Sequence, residues 1–389
     1  MTYKLLQGDV LDKLSEIKTG TVQTCVTSPP YWGLRDYGVD GQIGLEKTPE
    51  EYVEKMVQVF REVKRVLRDD GTLWLNLGDS YVGSGRGPTG KTGIGNQTKR
   101  QGFDSPKVIV PPGLKPKDLV GIPWRVAFAL QADGWYLRSA MPWLKGSAMP
   151  ESVTDRPTSA VEYFFLLTKS ERYFYDIEAV RKPVAGATVK RARASNNASK
   201  CKDKGDAKWQ AGLTPDKQDK YFSGITENSG RNRRNSDWFM DSIRDILEGK
   251  SGTLLHDENN IPIAIFCNPQ PYKEAHFATF SPRLITPMIL AGTSPRACEI
   301  CGTPWERVVE REKVKVSETT GWRPTCTCKN EGKGRCIVLD PFAGSGTTLW
   351  VAEHFGRDSI GIEINPEYCE LIKKRMNNFQ QTIFQGVTV

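Results

Sequence analysis

Val338-Leu339-Asp340-Pro341-Phe342-Ala343-Gly344-Ser345-Gly346-Thr347-Thr348 is the stretch that decides the fold. A short apolar run enters a glycine-rich turn, and a helical pattern follows over 346–354. Glycines let a backbone approach a ligand closely, and a helix start offers unpaired N–H groups and the positive end of a dipole. Seventeen residues beyond Gly346, the next strand ends in Gly361-Ile362-Glu363. An acid at that strand tip stands where dinucleotide-binding folds hold ribose hydroxyls. With a strand over 336–339, another over 359–364 and a helix over 366–376, the end of the chain reads as a complete βαβα unit.

Working outward, the same alternation recurs. Val22–Thr27 is an apolar strand halted at Ser28-Pro29-Pro30, because proline cannot donate to a ladder. A helix is predicted over 49–67 from the spacing of Tyr52, Val53, Met56, Val57, Phe60, Val63 and Leu67, with Thr48-Pro49 as its start. Asp69-Asp70-Gly71 reads as its close, and 72–77 as the next strand. A helix over 123–132, strands over 136–143, Val161–Thr168 and Pro262–Phe266, and a helix over 281–291 complete the pattern. Strands alternating with helices predict a mostly parallel sheet covered on both faces.

The 389 residues carry a net charge of +8, with 38% hydrophobic residues and ten Trp, which excludes global disorder. At roughly 150 residues per domain, the length allows two to three domains. No apolar run approaches the roughly 18 residues that span a bilayer. Met1–Asp9 reads as the start of a fold, so the expected location is cytoplasmic. The charge is local: 181–250 holds 16 Lys+Arg against 9 Asp+Glu, which leaves +1 for the remainder. A second irregular stretch, 83–113, is rich in Gly, Pro, Lys and Thr and reads as a long mobile loop.

Four of the nine cysteines fall in two close pairs, Cys298/Cys301 and Cys326/Cys328. Cys-x-x-Cys followed by Gly is a knuckle that closes half of a tetrahedral zinc site. Cys-x-Cys is a tighter second half, so Cys336 is an alternative ligand. The site reads as structural zinc in a small module over 296–330. Cys25 reads as a core residue on its strand.

The Asp340–Thr348 wording resembles the cofactor loop of S-adenosylmethionine-dependent DNA amino-methyltransferases. That family's second signature, a Ser/Asp/Asn-Pro-Pro-aromatic tetrapeptide, stands here as Ser28-Pro29-Pro30-Tyr31. The likeness covers most of the chain, including Gly8-Asp9-Val10, a segment over 143–176 and His276-Phe277-Ala278-Thr279-Phe280-Ser281; only 83–113 and the basic insert lack a counterpart. With the tetrapeptide first and the cofactor loop last, the order resembles the β-type arrangement, a circular permutation of the methyltransferase sheet. The resemblance implies a doubly wound, Rossmann-like sheet of about seven strands with one antiparallel. It places Asp9 near adenine, Asp340 and Gly344 near the methionine part, and Thr279, Phe280, Phe342, Ser345, Gly346 and Thr347 around the cofactor with Glu363.

The chemistry suits the tetrapeptide. An exocyclic amine delocalises its lone pair into the base, and acceptors on its two N–H groups favour a pyramidal, nucleophilic nitrogen. The Ser28 hydroxyl and the Pro29 carbonyl are the candidate acceptors, and Tyr31 offers a stacking face for a flipped base. Serine at the first position favours cytosine N4, with adenine N6 as the alternative. Other readings are a protein glutamine methyltransferase, whose cofactor loop normally comes first, and a non-enzymatic zinc-ribbon DNA-binding protein, which would not need Asp340–Thr348 and Glu363.

In β-type enzymes the segment between the two signatures holds target recognition, so Arg231, Arg233, Arg234 and Trp238 are expected to meet double-stranded DNA. The implied division is a catalytic half over 1–180, a recognition insert over 181–260 and a cofactor half over 261–389. A cognate restriction endonuclease is the implied companion, and no membrane partner is expected. Gly85-Arg-Gly-Pro-Thr-Gly90-Lys91-Thr92 matches a nucleotide-binding P-loop by letter, but no helix pattern follows it, so 83–113 is expected to close over DNA instead.

Overall fold

The computed structural model describes residues 3–34, 38–82, 110–145, 155–156, 159, 161–180, 253–256, 262–267, 281–310 and 318–384. The P-loop lookalike, nearly all of the recognition insert, and Thr279 and Phe280 lie outside them.

Eleven strands are described: β1 (Tyr3–Gln7), β2 (Val22–Thr27), β3 (Leu67–Leu77), β4 (Tyr136–Leu144), β5 (Val161–Thr168), β6 (Thr253–His256), β7 (Pro262–Phe266), β8 (Glu306–Glu310), β9 (Glu318–Arg323), β10 (Ile337–Asp340) and β11 (Asp358–Glu363). Nine form one sheet in the order β1-β11-β10-β2-β3-β5-β4-β7-β6. Neighbours from β1 to β3 run parallel, while β5 is antiparallel to both β3 and β4. The expectation of seven strands with one antiparallel is therefore corrected. The β6–β7 pair extends the edge beyond β4 and adds a second antiparallel strand.

The helices follow from their apolar stripes. In α2 (Pro49–Val66), Tyr52, Met56, Val59, Phe60, Val63 and Val66 are buried, and Thr48 caps the start by accepting from the Glu51 N–H at 3.2 Å. Helices α1 (Val10–Ser15), α2 and α3 (Ile122–Ala132) share one core on one face of the sheet. A second core contains α4 (Pro282–Gly292) and α5 (Thr347–His354), and α6 (Pro366–Phe384) packs Ile372 and Met376 against Leu349 of α5. No described helix is long and apolar enough to cross a membrane.

One local expectation fails. Asp69-Asp70-Gly71 does not close α2; the chain passes straight from Val66 into β3. Leu67 is already extended; Asp69-Asp70-Gly71 falls at the register shift of β3 between Leu67, opposite Val22, and Thr72, opposite Thr24, and the Asp70 carbonyl accepts from the Phe174 N–H at 2.9 Å.

The order of the strands positions the site. Although β10 and β11 come last in sequence, they lie between β1 and β2, with Gln7 paired to Glu363 and Leu339 to Cys25. The chain winds one way from β10 to β11 and the other way from β2 to β3. Ligands in such sheets bind at that reversal, beyond the carboxyl ends of the strands. Asp9, Ser28, Asn76, Asp340 and Glu363 all lie at those ends.

Candidate active site

A cavity of about 320 Å³ opens at this edge. Gly8, Asp9, Phe342, Gly344, Ser345, Thr347, Glu363, Asn365 and Tyr368 line one end, and Ser28-Pro29-Pro30-Tyr31, Asn76, Trp143, Lys145 and Glu162 the other. The two sequence signatures, more than 300 residues apart, thus share one space.

At the first end the glycine turn is held open by backbone geometry. Gly344 and Gly346 take φ of 52° and 74°, and a Cβ on Gly346 would meet Ile372 at 3.0 Å. Gly346 caps α5 without a side chain, so no cap oxygen occupies the helix's first N–H groups. Arg375 of α6 fastens the turn from behind, donating to the Ser345 carbonyl at 2.9 Å and the Thr347 hydroxyl at 3.1 Å. The Glu363 carboxylate accepts from the Gly344 N–H at 2.8 Å and the Asn365 N–H at 2.9 Å, and burial raises its affinity for a proton. Asp9 lines the cavity while capping α1, accepting from the Leu11 N–H at 2.8 Å.

Asp340 takes a different position from its neighbours in the loop. It is 1% exposed, is not among the lining residues, and accepts from Thr27 and Thr348 hydroxyls, each at 2.7 Å, and from the Phe342 N–H at 3.1 Å. It ties β2, β10 and α5 together beneath the turn. Burial pushes its carboxyl up from 3.8 to about 6, against the pull of those three donors. A carboxyl that holds its proton more tightly in the folded chain adds stability that is fully present below its unfolded value and is lost as pH rises through the folded one. From about pH 4 to about pH 6, wild-type stability is therefore expected to fall relative to Asp340→Ala. Thermal melts of both proteins across that window check this; parallel pH slopes would contradict it.

At the second end, Ser28 donates to Asn76 Oδ1 at 3.2 Å and approaches the Tyr31 hydroxyl at 3.2 Å. The Tyr31 hydroxyl lies 2.7 Å from Asn76 Oδ1 and 2.9 Å from Glu162 Oε2. Asn76 Nδ2 donates to Glu162 at 3.3 Å and to the Tyr163 carbonyl at 3.2 Å, which orients the amide with its oxygen toward Ser28. Lys145 pairs with Glu162 and stands 4.5 Å from the Trp143 ring centre. Gly78 is required here, because a Cβ would sit 2.5 Å from the Tyr31 ring. Tyr52 donates to the Pro30 carbonyl at 2.9 Å and steadies the loop from α2.

Sequence reasoning did not single out Asn76, Lys145 or Glu162. Asn76 left a trace, as an amide inside the apolar run 73–77. Lys145 and Glu162 left none, because only the β4–β5 pairing, with Trp143 opposite Glu162, brings them together. Cys25 is buried as expected, and burial raises its thiol far above the ordinary range.

The four paired cysteines meet elsewhere. The sulfurs of Cys298, Cys301, Cys326 and Cys328 all lie within 4.8 Å of one another. Four sulfurs on a zinc tetrahedron of 2.3 Å bonds stand about 3.8 Å apart, so the donor set fits that ion. Cys298 also accepts from the N–H groups of Ile300 and Cys301 at 3.4 and 3.5 Å, and Gly302 makes the turn at φ 71°. The Thr303 hydroxyl draws the Cys301 thiol down to about 6, and its bond to Cys301 pushes Cys328 up to about 12. Cys336 stands apart, buried, with its thiol raised to about 11 by burial. Arg307 of the β8–β9 pair bonds Asp176, in the segment after β5, at 2.7 Å, and Arg68 of β3 donates to the Cys301 carbonyl at 2.7 Å.

A doubly wound sheet whose reversal point gathers a glycine turn, an acidic strand tip and a Ser-Pro-Pro-Tyr loop is the arrangement that the resemblance to DNA amino-methyltransferases implies. The chain belongs to the N6/N4 DNA methyltransferase family: the family model described as DNA methylase matches residues 22–374. It is 38% identical to the type II methyltransferase M.Cfr9I of Citrobacter freundii, over 96% of this chain and 87% of that protein. It is also 38% identical to M.XycI of Xanthomonas campestris pv. cyanopsidis, over 98% and 90%. Among solved structures, PvuII DNA methyltransferase (cytosine-N4-specific) shares the fold, with a TM-score of 0.51, 15% identity, and coverage of 99% of this chain and 94% of that one. Family membership sets aside the non-enzymatic DNA-binding alternative.

Proposed function

We propose that the chain methylates the exocyclic amine of a base flipped out of duplex DNA, at cytosine N4, using S-adenosylmethionine. The observation that carries this is the single cavity shared by Ser28–Tyr31 and the glycine turn. Asp9, Phe342, Gly344, Ser345, Thr347 and Glu363 would hold the cofactor, which when bound supplies an electrophilic methyl group. The glycine turn fits it: the N–H groups at the start of α5 have no capping side chain, and each Glu363 oxygen that accepts a backbone N–H keeps a second lone pair for a hydroxyl.

The protein's own contribution is orientation and electrostatics. The Ser28 hydrogen has its acceptors within the site, Asn76 Oδ1 and the Tyr31 oxygen, each at 3.2 Å, so the lone pairs of Oγ remain to accept from the amine. The Pro29 carbonyl is assigned the second N–H. Pro29 and Pro30 contribute no N–H donors of their own to compete for these acceptors. Serine at position 28 supports cytosine over adenine.

The same reading takes the chain order as a circular permutation of the methyltransferase sheet, 181–260 as the DNA-recognition insert, and the cysteine module as a structural zinc site. Its companion, by the type II naming of its relatives, is a restriction endonuclease acting at the same sequence. The test is to transfer labelled methyl to duplex DNA, hydrolyse it and identify the base. N4-methylcytosine is expected. N6-methyladenine would refute the choice of base, and neither product would refute the reading.

A further inference from the structure

Methylating an amine creates a proton that must leave. Among the described residues three carboxylates line the cavity, Asp9, Glu162 and Glu363. Asp9 caps α1 and Glu363 holds the glycine turn, both at the cofactor end. Glu162 stands at the Ser28 end, 14% exposed, and an unbroken line of polar contacts reaches it: Ser28 to Tyr31 at 3.2 Å and Tyr31 to Glu162 at 2.9 Å. Asn76 touches both hydroxyls and Glu162, yet an amide does not retain a proton, so it aligns the line without ending it.

Resting on the amine-methylation reading above, we propose that Glu162 is the terminal acceptor of the reaction proton, reached through the Ser28 and Tyr31 hydroxyls. The amine lone pair forms the new N–C bond, and the C–S bond breaks with its electron pair left on sulfur. The surplus N–H bond then breaks, and its pair returns to nitrogen. Its proton passes to Ser28 Oγ, the Ser28 proton to the Tyr31 oxygen, and the Tyr31 proton to Glu162 Oε2. Each hydroxyl ends as it began, and only Glu162 gains a proton, which it later yields to solvent.

The surroundings suit the role. Lys145, just beyond the end of β4, pairs with Glu162 and holds its carboxylate in place. Burial, with the Glu162 charge beside it, keeps the Tyr31 phenol well above its ordinary range, so Tyr31 relays a proton without remaining ionised. Among the described residues, the charged and titratable groups facing Glu162 are Lys145 from just beyond β4 and Tyr31 from the loop after β2; Asn76 from β3 is neutral.

The test uses the full chain with duplex DNA and S-adenosylmethionine. Glu162→Gln and Tyr31→Phe, which keeps the stacking ring, are each expected to lower kcat about 100-fold, within the range of general acid–base effects, with KM for both substrates unchanged. The acid limb of the wild-type kcat profile is expected to vanish in Glu162→Gln and to return in Glu162→Asp. Melting and cofactor binding, followed in parallel, identify a variant damaged in folding; Tyr31→Phe then carries the decision. Wild-type kcat in Glu162→Gln or in Tyr31→Phe, or an acid limb retained in Glu162→Gln, overturns the relay alone. A wild-type enzyme that methylates neither amine overturns the functional reading and the relay with it.

Discussion

Ser28→Ala is expected to lower the methyl-transfer rate by about 100- to 1,000-fold, the usual cost of removing one preorganised hydrogen-bonding group from a reacting centre. The loss should fall on kcat, because Ser28 is assigned to the amine and makes no bond to the glycine turn or to Glu363. Stability should barely change. Asn76 Oδ1 keeps the Tyr31 hydroxyl at 2.7 Å, so deleting the Ser28 hydroxyl strands no buried acceptor. Tyr31→Ala is expected to abolish activity more completely, since it removes the ring beside Gly78, the proposed stacking face, as well as the hydroxyl. Single-turnover rates with labelled cofactor, alongside cofactor titrations, measure both variants. A Ser28→Ala enzyme of near wild-type rate would remove the tetrapeptide from the chemistry.

The second large effect concerns the cysteine module. The purified protein is expected to carry one zinc ion per chain, and Cys298→Ser or chelation to release it with a large fall in melting temperature. A hairpin and a few turns bury too little apolar surface to hold shape unaided. In isolated zinc fingers, metal binding itself supplies about 10–16 kcal/mol of apparent folding energy. Here part of that loss is offset, because Arg68 ties the module to β3 and the Arg307–Asp176 pair ties it to the segment after β5. Unfolding should therefore start in the module and then reach β3. Metal analysis, with melting curves in chelator, decides the matter: zinc-free protein whose melting ignores chelation would sink the assignment. Cys336→Ser should leave the zinc content intact, since its sulfur is outside the cluster.

Much of this fold is written in local patterns. The stripe of α2, the strand Val22–Thr27 ended by prolines, and the strand–turn–helix at Asp340 form where their residues predict, because each depends on neighbours within a few positions. The composition of Asp69-Asp70-Gly71 misled because it marks an irregularity within β3, between the pairings of Leu67 and Thr72 with β2, and not the close of α2. The edge pair β6–β7 escaped the seven-strand expectation for a similar reason, since its place depends on β4.

By itself the sequence determined the chemistry's vocabulary: a glycine turn with an acidic strand tip, a Ser-Pro-Pro-Tyr loop, and four cysteines at metal-binding spacing. These are legible because glycine, proline and cysteine act on the backbone or on a ligand wherever they stand. Only the tertiary structure decided which side chains serve them. It withdrew Asp340 beneath the turn, fastened that turn with Arg375, and brought Asn76, Lys145 and Glu162 to the hydroxyls of Ser28 and Tyr31. Such choices depend on strand order and register, which set distances between residues far apart in sequence.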